Sequence, residues 1–363
     1  MAITHAFSAG VDDIVVIDHA SDDATRSGLE GLREVWSDRL TVLRLEGDQY
    51  LQEAATSVVT ELVGEKSYQW VYVFDADEFI LTRPDSTLKE VLAQVPVGTD
   101  AVRYQVDQWV APSDFDDLAV DDYDRIRHRA IAPLFAQFPP EVLADEIEQA
   151  NLNFFDVPFG SKIIVHNDPS HAIGPGAHLL RTSSSVKEII LDPTLLRVGH
   201  LPLLSRRRLQ LKCQHGNALK KAGFPPSHGW QNQMLSRIDE AGQLDAFWLD
   251  HSVNATTEIQ VDRAAAPVTV IDISLSDALK AAANSLTTAL GTSDSATPAE
   301  PASPPDQGTW ASAAISSVHR RLGERDAALL ERDAAVRRAE AVEGSKSWQL
   351  TSWLRLARAR FRR

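Results

Sequence analysis

Two aspartates, Asp75 and Asp77, stand two residues apart at the end of an apolar run, WVYVF at residues 70–74. If that run is a strand, residues two apart point to one side, and the two carboxylates converge at its end. Convergent carboxylates repel each other unless a cation fills the space between them. Mg²⁺ or Mn²⁺ favours such oxygen ligands, and commonly takes one or two carboxylates together with substrate phosphates. The chemistry implied is capture of a diphosphate through a metal bridge. The plainer alternative is an acidic turn that caps the segment after it. A second acidic cluster, DHASDD at residues 18–23, follows an earlier apolar run, DIVVID at residues 13–18.

The elements around these clusters must hold them in place. Residues 13–18 read as a strand buried on both faces, and residues 40–45 (LTVLRL) and 70–74 as two further strands. Helical patterns lie between them at residues 26–36 and 50–63. Strands alternating with helices predict an α/β fold with a mostly parallel sheet and helices on both faces. In such sheets ligands bind beyond the carboxyl ends of the strands, where both acidic clusters fall. Further strands are expected at residues 101–106 and 162–166, on either side of a long insertion at 114–153 that carries a helix at 140–150. Residues 198–219 (beginning VGHLPLLSRRR) turn basic and predict another helix.

VVIDHASDDAT (residues 15–25) and WVYVFDADEFIL (70–81), in that order and spacing, resemble GT-A glycosyltransferases of family 2 type, especially a bacterial branch with a DxDEF motif. The resemblance extends more loosely to FGSKIIVH (159–166), GPGAHLL (174–180) and RVGHLPLLSRRRLQLK (197–212), and covers residues 5–240. It implies a Rossmann-like GT-A domain over residues 1–290. It also implies a metal-dependent transfer of sugar from a nucleoside diphosphate sugar to an acceptor hydroxyl, with inversion, on a glycan or lipid-linked acceptor in surface polysaccharide synthesis. By the same resemblance Asp18 contacts the nucleotide, and Ser21 and Asp23 shape its loop. Asp75 and Asp77 serve the metal, with His200 completing its site. Lys162 is expected either to neutralise diphosphate charge or to be a solvated strand-end lysine, and His178 to face the acceptor. Asp107, Asp114 and Glu78 are the candidate bases. Arg206, Arg207 and Arg208 are candidates for phosphate, or form a solvated face. The family's usual first strand has no counterpart before THAFSAGVDD, which predicts a misplaced start or a truncated, inactive scaffold. Haloacid dehalogenase-type phosphatases also carry DxD after a strand, but at their first strand, whereas here it follows the third.

Composition narrows the field further. Hydrophobic residues are 44% of 363 and charged residues 24%, enough to bury a large core. The single cysteine, Cys213, excludes an intrachain disulfide and a cysteine-based zinc site. A net charge of −15 argues against non-specific nucleic-acid binding. That charge is unevenly spread: residues 310–363 hold 12 Arg and Lys against 6 Asp and Glu, leaving −21 for the rest. MAITHAFSAGVDD has no signal-peptide pattern, no window is apolar enough to span a bilayer, and a cytoplasmic location is expected.

Residues 291–309 read as a Pro/Ser/Ala-rich linker. A heptad spacing of Ile315, Leu322, Leu329 and Val336 predicts a short coiled coil within 310–345, a route to a homo-oligomer. Residues 346–363 mix tryptophan and leucine with arginine, as an interfacial helix at anionic lipid or a protein-docking segment would. SWQLTSWLR within that tail resembles a segment attached to bacterial glycosyltransferases acting on surface polysaccharides.

Overall fold

A computed structural model describes residues 1–19, 21, 23–36, 38–45, 63, 67–118, 120–131, 140–157, 159–168, 170–182, 185–221, 223–226, 229–253 and 267–293. All of them lie in the first of two units of the chain, Met1–Glu300, the second being Pro301–Arg363. The helix expected at 50–63, the coiled coil at 310–345 and the basic tail at 346–363 lie outside the described residues, Val63 excepted.

The chain opens with α1 (Ala2–Ser8), β1 (Ile14–His19), α2 (Asp23–Val35) and β2 (Leu40–Leu45). The strands β1 and β2 pair in parallel, as the strand–helix–strand pattern predicts. Then come β3 (Trp70–Tyr72), β4 (Glu78–Thr82), α3 (Leu88–Leu92), β5 (Ala101–Val110), β6 (His128–Ala130), α4 (Pro140–Glu148) and β7 (Lys162–His166). The remainder holds β8 (Ala172–Ile173), β9 (Leu180–Arg181), β10 (Glu188–Ile190), β11 (Leu196–His200), α5 (Arg206–Lys221), α6 (Trp230–Glu240), α7 (Leu244–Asp250), β12 (Thr269–Ile271) and α8 (Ser274–Ser293).

The fold is mixed α/β, but its main sheet is not mostly parallel. The ten-residue β5 lies at its centre, parallel to β10 and β11 and antiparallel to β6 and β7. The pairs β3–β7, β4–β11 and β6–β12 are also antiparallel. The alternation that predicted a parallel sheet describes only the β1–α2–β2 unit. The helix expected across 198–219 begins at Arg206 because residues 196–200 are claimed by β11, wedged between β4 and β5. The linker expected from residue 291 starts no earlier than the end of α8 at Ser293.

Side-chain alternation gives the sheet two faces. Ile80, Val102, Tyr104, Val106, Ile164, Leu196 and Val198 share one, packed with Leu88, Val91 and Leu92 of α3. Phe79, Leu81 and Trp109 share the other, with Leu275 and Leu279 of α8 and the buried stripes of α5, α6 and α7. Helices therefore do cover both faces. The contact of α5 with α6 depends on Gly216, where an added Cβ would lie 1.9 Å from the Asn232 carbonyl oxygen. His5 ties α1 to the sheet through a 2.7 Å hydrogen bond between its ring and the Ile80 carbonyl.

Candidate active site

The DADE segment is a turn, not a strand end. The strand β3 ends at Tyr72, and the Glu78 amide donates to the Asp75 carbonyl at 3.0 Å. Phe74 leaves the sheet to pack on the cluster of Ala6, Ile14 and Leu40. A hydrogen bond across four residues reverses the chain, so Asp75 and Asp77 no longer share one side. Their carboxylates find different partners. The Lys162 ammonium donates to Asp75 at 2.8 Å. Asp77 receives the Lys212 ammonium on Oδ2 at 3.1 Å and faces His200 Nε2 from Oδ1 at 3.6 Å.

Strand parity assembles the floor beneath this turn. Lys162 lies opposite Tyr104 in the β5–β7 register, and His200 opposite Glu78 in the β4–β11 register. All four share the face of Ile80, Val106, Ile164 and Val198. Glu78 and Lys162 approach to 2.5 Å with side chains 0% and 2% exposed. Burial pushes the Glu78 carboxyl up, and Lys162 only partly opposes this. Burial would lower the Lys162 ammonium, but Asp75 and Glu78 outweigh it and hold it raised. The phenols of Tyr72 and Tyr104 lie edge to face at 5.9 Å, and burial above all, with the Glu78 charge adding, keeps both protonated.

Asp77 shows the opposite balance. Burial would raise its carboxyl, yet Lys212 first and His200 second hold it well below the usual carboxylate range. The turn is fixed from behind as well, because the Leu201 amide donates to the Asp77 carbonyl at 2.9 Å. His200 is buried, and its Nδ1 has no hydrogen-bond partner among the described residues. Its ring packs against Phe159 at 4.4 Å between centroids, and Phe159 in turn faces His178 at 6.1 Å. His178 itself is tied to the Ser161 carbonyl at 2.9 Å.

The structure thus brings together Asp75, Asp77, Glu78, Lys162 and His200, with His178 joined through Phe159. Asp18 is buried at the end of β1, where it accepts the Ser21 amide at 3.3 Å. Asp23 is the first residue of α2. Among the described residues no hydrogen bond or ion pair joins Asp18 or Ser21 to the turn. Asp107 has the parity of Trp109 and so lies on the opposite sheet face, held by Arg197 at 2.9 Å and Gln105 at 2.5 Å. It is a structural ion pair and not a base for this turn. Asp114, largely exposed, pairs with Arg125. Glu78 is sealed beneath Lys162, so none of the three candidate bases stands free beside the turn.

Sequence reasoning missed Lys212 and Asp117. The Arg206–Arg208 run drew attention away from the lysine one turn on, and its charges are already used. Arg206 pairs with Asp245, while Arg207 and Arg208 close on the buried Asp117 at 2.5 and 2.9 Å. Helical spacing was the available signal: Leu209, Cys213 and Gly216 form the inward stripe of α5, and Lys212 adjoins it.

Among the described residues no group of three or more His, Cys, Asp or Glu side chains is gathered at metal-binding spacing. Nor is any helix there long and apolar enough to cross a membrane. Comparison with family models, with curated proteins and with solved structures finds no match for this chain.

Proposed function

We propose that the chain is a GT-A-type glycosyltransferase that moves a sugar from a nucleoside diphosphate sugar to an acceptor hydroxyl, on a glycan or lipid-linked acceptor. The observation that carries this reading is the acidic turn between β3 and β4, set against a buried imidazole and two lysines. Asp77 and His200 fit a divalent cation: a carboxylate held ionised faces the Nε2 of a buried imidazole. An imidazole and a carboxylate suit Mn²⁺, with Mg²⁺ preferring oxygen alone. When bound, the ion would act as a Lewis acid toward the departing diphosphate.

The chain's own residues have separate tasks in this scheme. Lys162 neutralises Asp75 and Glu78 and so keeps three carboxylates within four residues. Asp77 remains ionised at all working pH values because its carboxyl is held low. Phe159 closes the flank of His200 and excludes water from that side of the ring. Inversion by in-line displacement follows the resemblance, and peripheral attachment of the tail at the inner membrane face follows its mix of tryptophan, leucine and arginine. A second reading, a non-catalytic scaffold, draws on one observation: each carboxylate of the turn already has a cation from the chain itself.

Thermal unfolding with Mn²⁺ and UDP or GDP tests the proposal. Nucleotide protection that requires Mn²⁺ and vanishes in Asp77→Ala is the expected result. No protection by either nucleotide with Mn²⁺ present would sink the transferase reading, and inorganic phosphate released from simple phosphomonoesters would favour a dehalogenase-type phosphatase.

A further inference from the structure

We infer that Lys212, on α5, is the side chain that binds the diphosphate of the donor, and that Lys162 is a positioning residue with no direct contact to it. This rests on the transferase reading and assigns its anion-binding group.

The two lysines differ in what they can reach. Lys162 is 2% exposed and has both of its carboxylates at 2.5 and 2.8 Å. An ammonium enclosed in this way cannot turn to a ligand without stripping Glu78, whose side chain is 0% exposed, of its counter-charge. Lys212 is 31% exposed, and it pairs with Asp77 at 3.1 Å, itself 24% exposed. The exposed side of this pair lets the ammonium reach a ligand, and Asp77 keeps a counter-charge when an arriving cation takes the place of Lys212.

The placement of Lys212 is also specific. Its neighbours Leu211 and Gln214 are exposed, whereas Lys212 flanks the buried stripe of Leu209, Cys213 and Gly216 and is directed at the acidic turn. The three arginines before it are committed to Asp117 and Asp245. Lys220, further along α5, is committed to Glu240 at 2.8 Å. Lys212 is therefore the α5 cation paired to the turn that would hold the ion.

Charge bookkeeping gives the exchange a direction. Asp75, Asp77 and Glu78 face Lys162 and Lys212, three carboxylates against two ammonium groups. A divalent cation at Asp77 would take over the role that Lys212 plays there. The lysine would then swing to the phosphate oxygens arriving with that ion, where a compact ammonium makes a charge-assisted hydrogen bond. No bond is made or broken in this step; one ion pair replaces another.

Titration calorimetry of the full chain with UDP and with pyrophosphate, each with Mn²⁺, tests the assignment in wild type, Lys212→Met, Lys212→Arg and Lys162→Met. Lys212→Met is expected to weaken both ligands about 10- to 100-fold, the loss of one hydrogen bond to a charged group. Its unfolding midpoint should stay within about 4 °C of wild type, because the pair is partly exposed and His200 still faces Asp77. Lys212→Arg should recover most of the affinity. Equal affinity in wild type and Lys212→Met overturns the assignment and leaves the transferase reading standing. So does a Lys162→Met variant that is fully folded yet loses as much affinity as Lys212→Met. No binding of either ligand by wild type overturns both.

Discussion

Replacing Lys162 with methionine keeps the length of the side chain and removes its charge from a site where the nearest carboxylate, Glu78, is fully enclosed. Two outcomes compete for that carboxylate. It can stay ionised and unpaired, which costs about 3–5 kcal/mol in a buried site. Alternatively it takes up a proton, at a cost set by the distance between the working pH and a glutamate's ordinary value of 4.5. At pH 7 that cost is about 3.4 kcal/mol, from about 1.36 kcal/mol per unit over about 2.5 units. Protonation therefore caps the loss near the lower end of the first range. The pH dependence follows in sign. Glu78 is raised already in wild type, and losing Lys162 raises it further, so the two proteins lose stability in parallel just above about pH 4.5 and diverge once pH passes the wild-type value. From there stability relative to wild type should fall by about 1.4 kcal/mol per pH unit until the variant's own higher pKa is passed. Urea unfolding at half-unit steps from pH 5 to pH 8 reads this slope directly. The double variant Lys162→Met/Glu78→Gln should recover most of the loss at pH 7 and abolish the slope. A loss under about 1 kcal/mol that does not vary with pH would refute the reasoning, because Glu78 would then have solvent or another counter-charge.

Two further substitutions check the assignment of residues to the sheet faces and to the helix contact. Asp107→Asn should lower stability by about 1–2 kcal/mol, since Arg197 keeps Asp272 at 3.0 Å, while leaving nucleotide protection as in wild type. Lost protection in a folded Asp107→Asn protein would return that residue to the site. Gly216→Ala should cost about 3 kcal/mol or prevent folding, because the new methyl would meet the Asn232 carbonyl at 1.9 Å. Its control is Gly31→Ala in α2, where nothing lies within 4 Å and the helix should gain about 0.5–1 kcal/mol. Chemical denaturation of the pair separates crowding from helix propensity.

Local features of this fold were legible in its sequence and distant ones were not. The runs at residues 40–45 and 162–166 become β2 and β7 with the bounds their composition suggests, because a short run rich in β-branched and leucine residues announces itself in any context. Residues 78–82, EFILT, form a strand that the sequence does not foretell, since its pattern does not separate them from the run at 70–74 and the acidic segment after it. Pairing was the harder problem. The partner of β4 is β11, more than a hundred residues away, and β5 meets four different strands along its length. Nothing in a run such as AVRYQV states whether its neighbour will be parallel. Asp107 failed as a base for the same reason: its parity is plain from the sequence, but which face carries the site is set by registers among β4, β5, β7 and β11.

Lys162 is the case in which sequence held more than was taken from it. KIIVH is apolar at every position between its ends, which marks a strand covered on both faces, and β7 is covered by β3 and β5 along both edges as well. A lysine at the start of such a strand has the parity of Ile164 and is carried into the core with it. An ammonium there must have carboxylates beside it, for an unpaired one would lose its proton instead. Only a segment dense in acid could supply two of them at once, and DADE, at the exit of the strand beside β7, is such a segment. The carboxylates of the turn are thereby divided between two lysines: Asp75 and Glu78 hold the buried Lys162, and Asp77 pairs with the partly exposed Lys212. In the proposed scheme a ligand that brings both a divalent cation and an anion meets the second pair without disturbing the first. The enclosed Glu78–Lys162 contact would then keep the turn rigid, and the Asp77–Lys212 pair would do the binding.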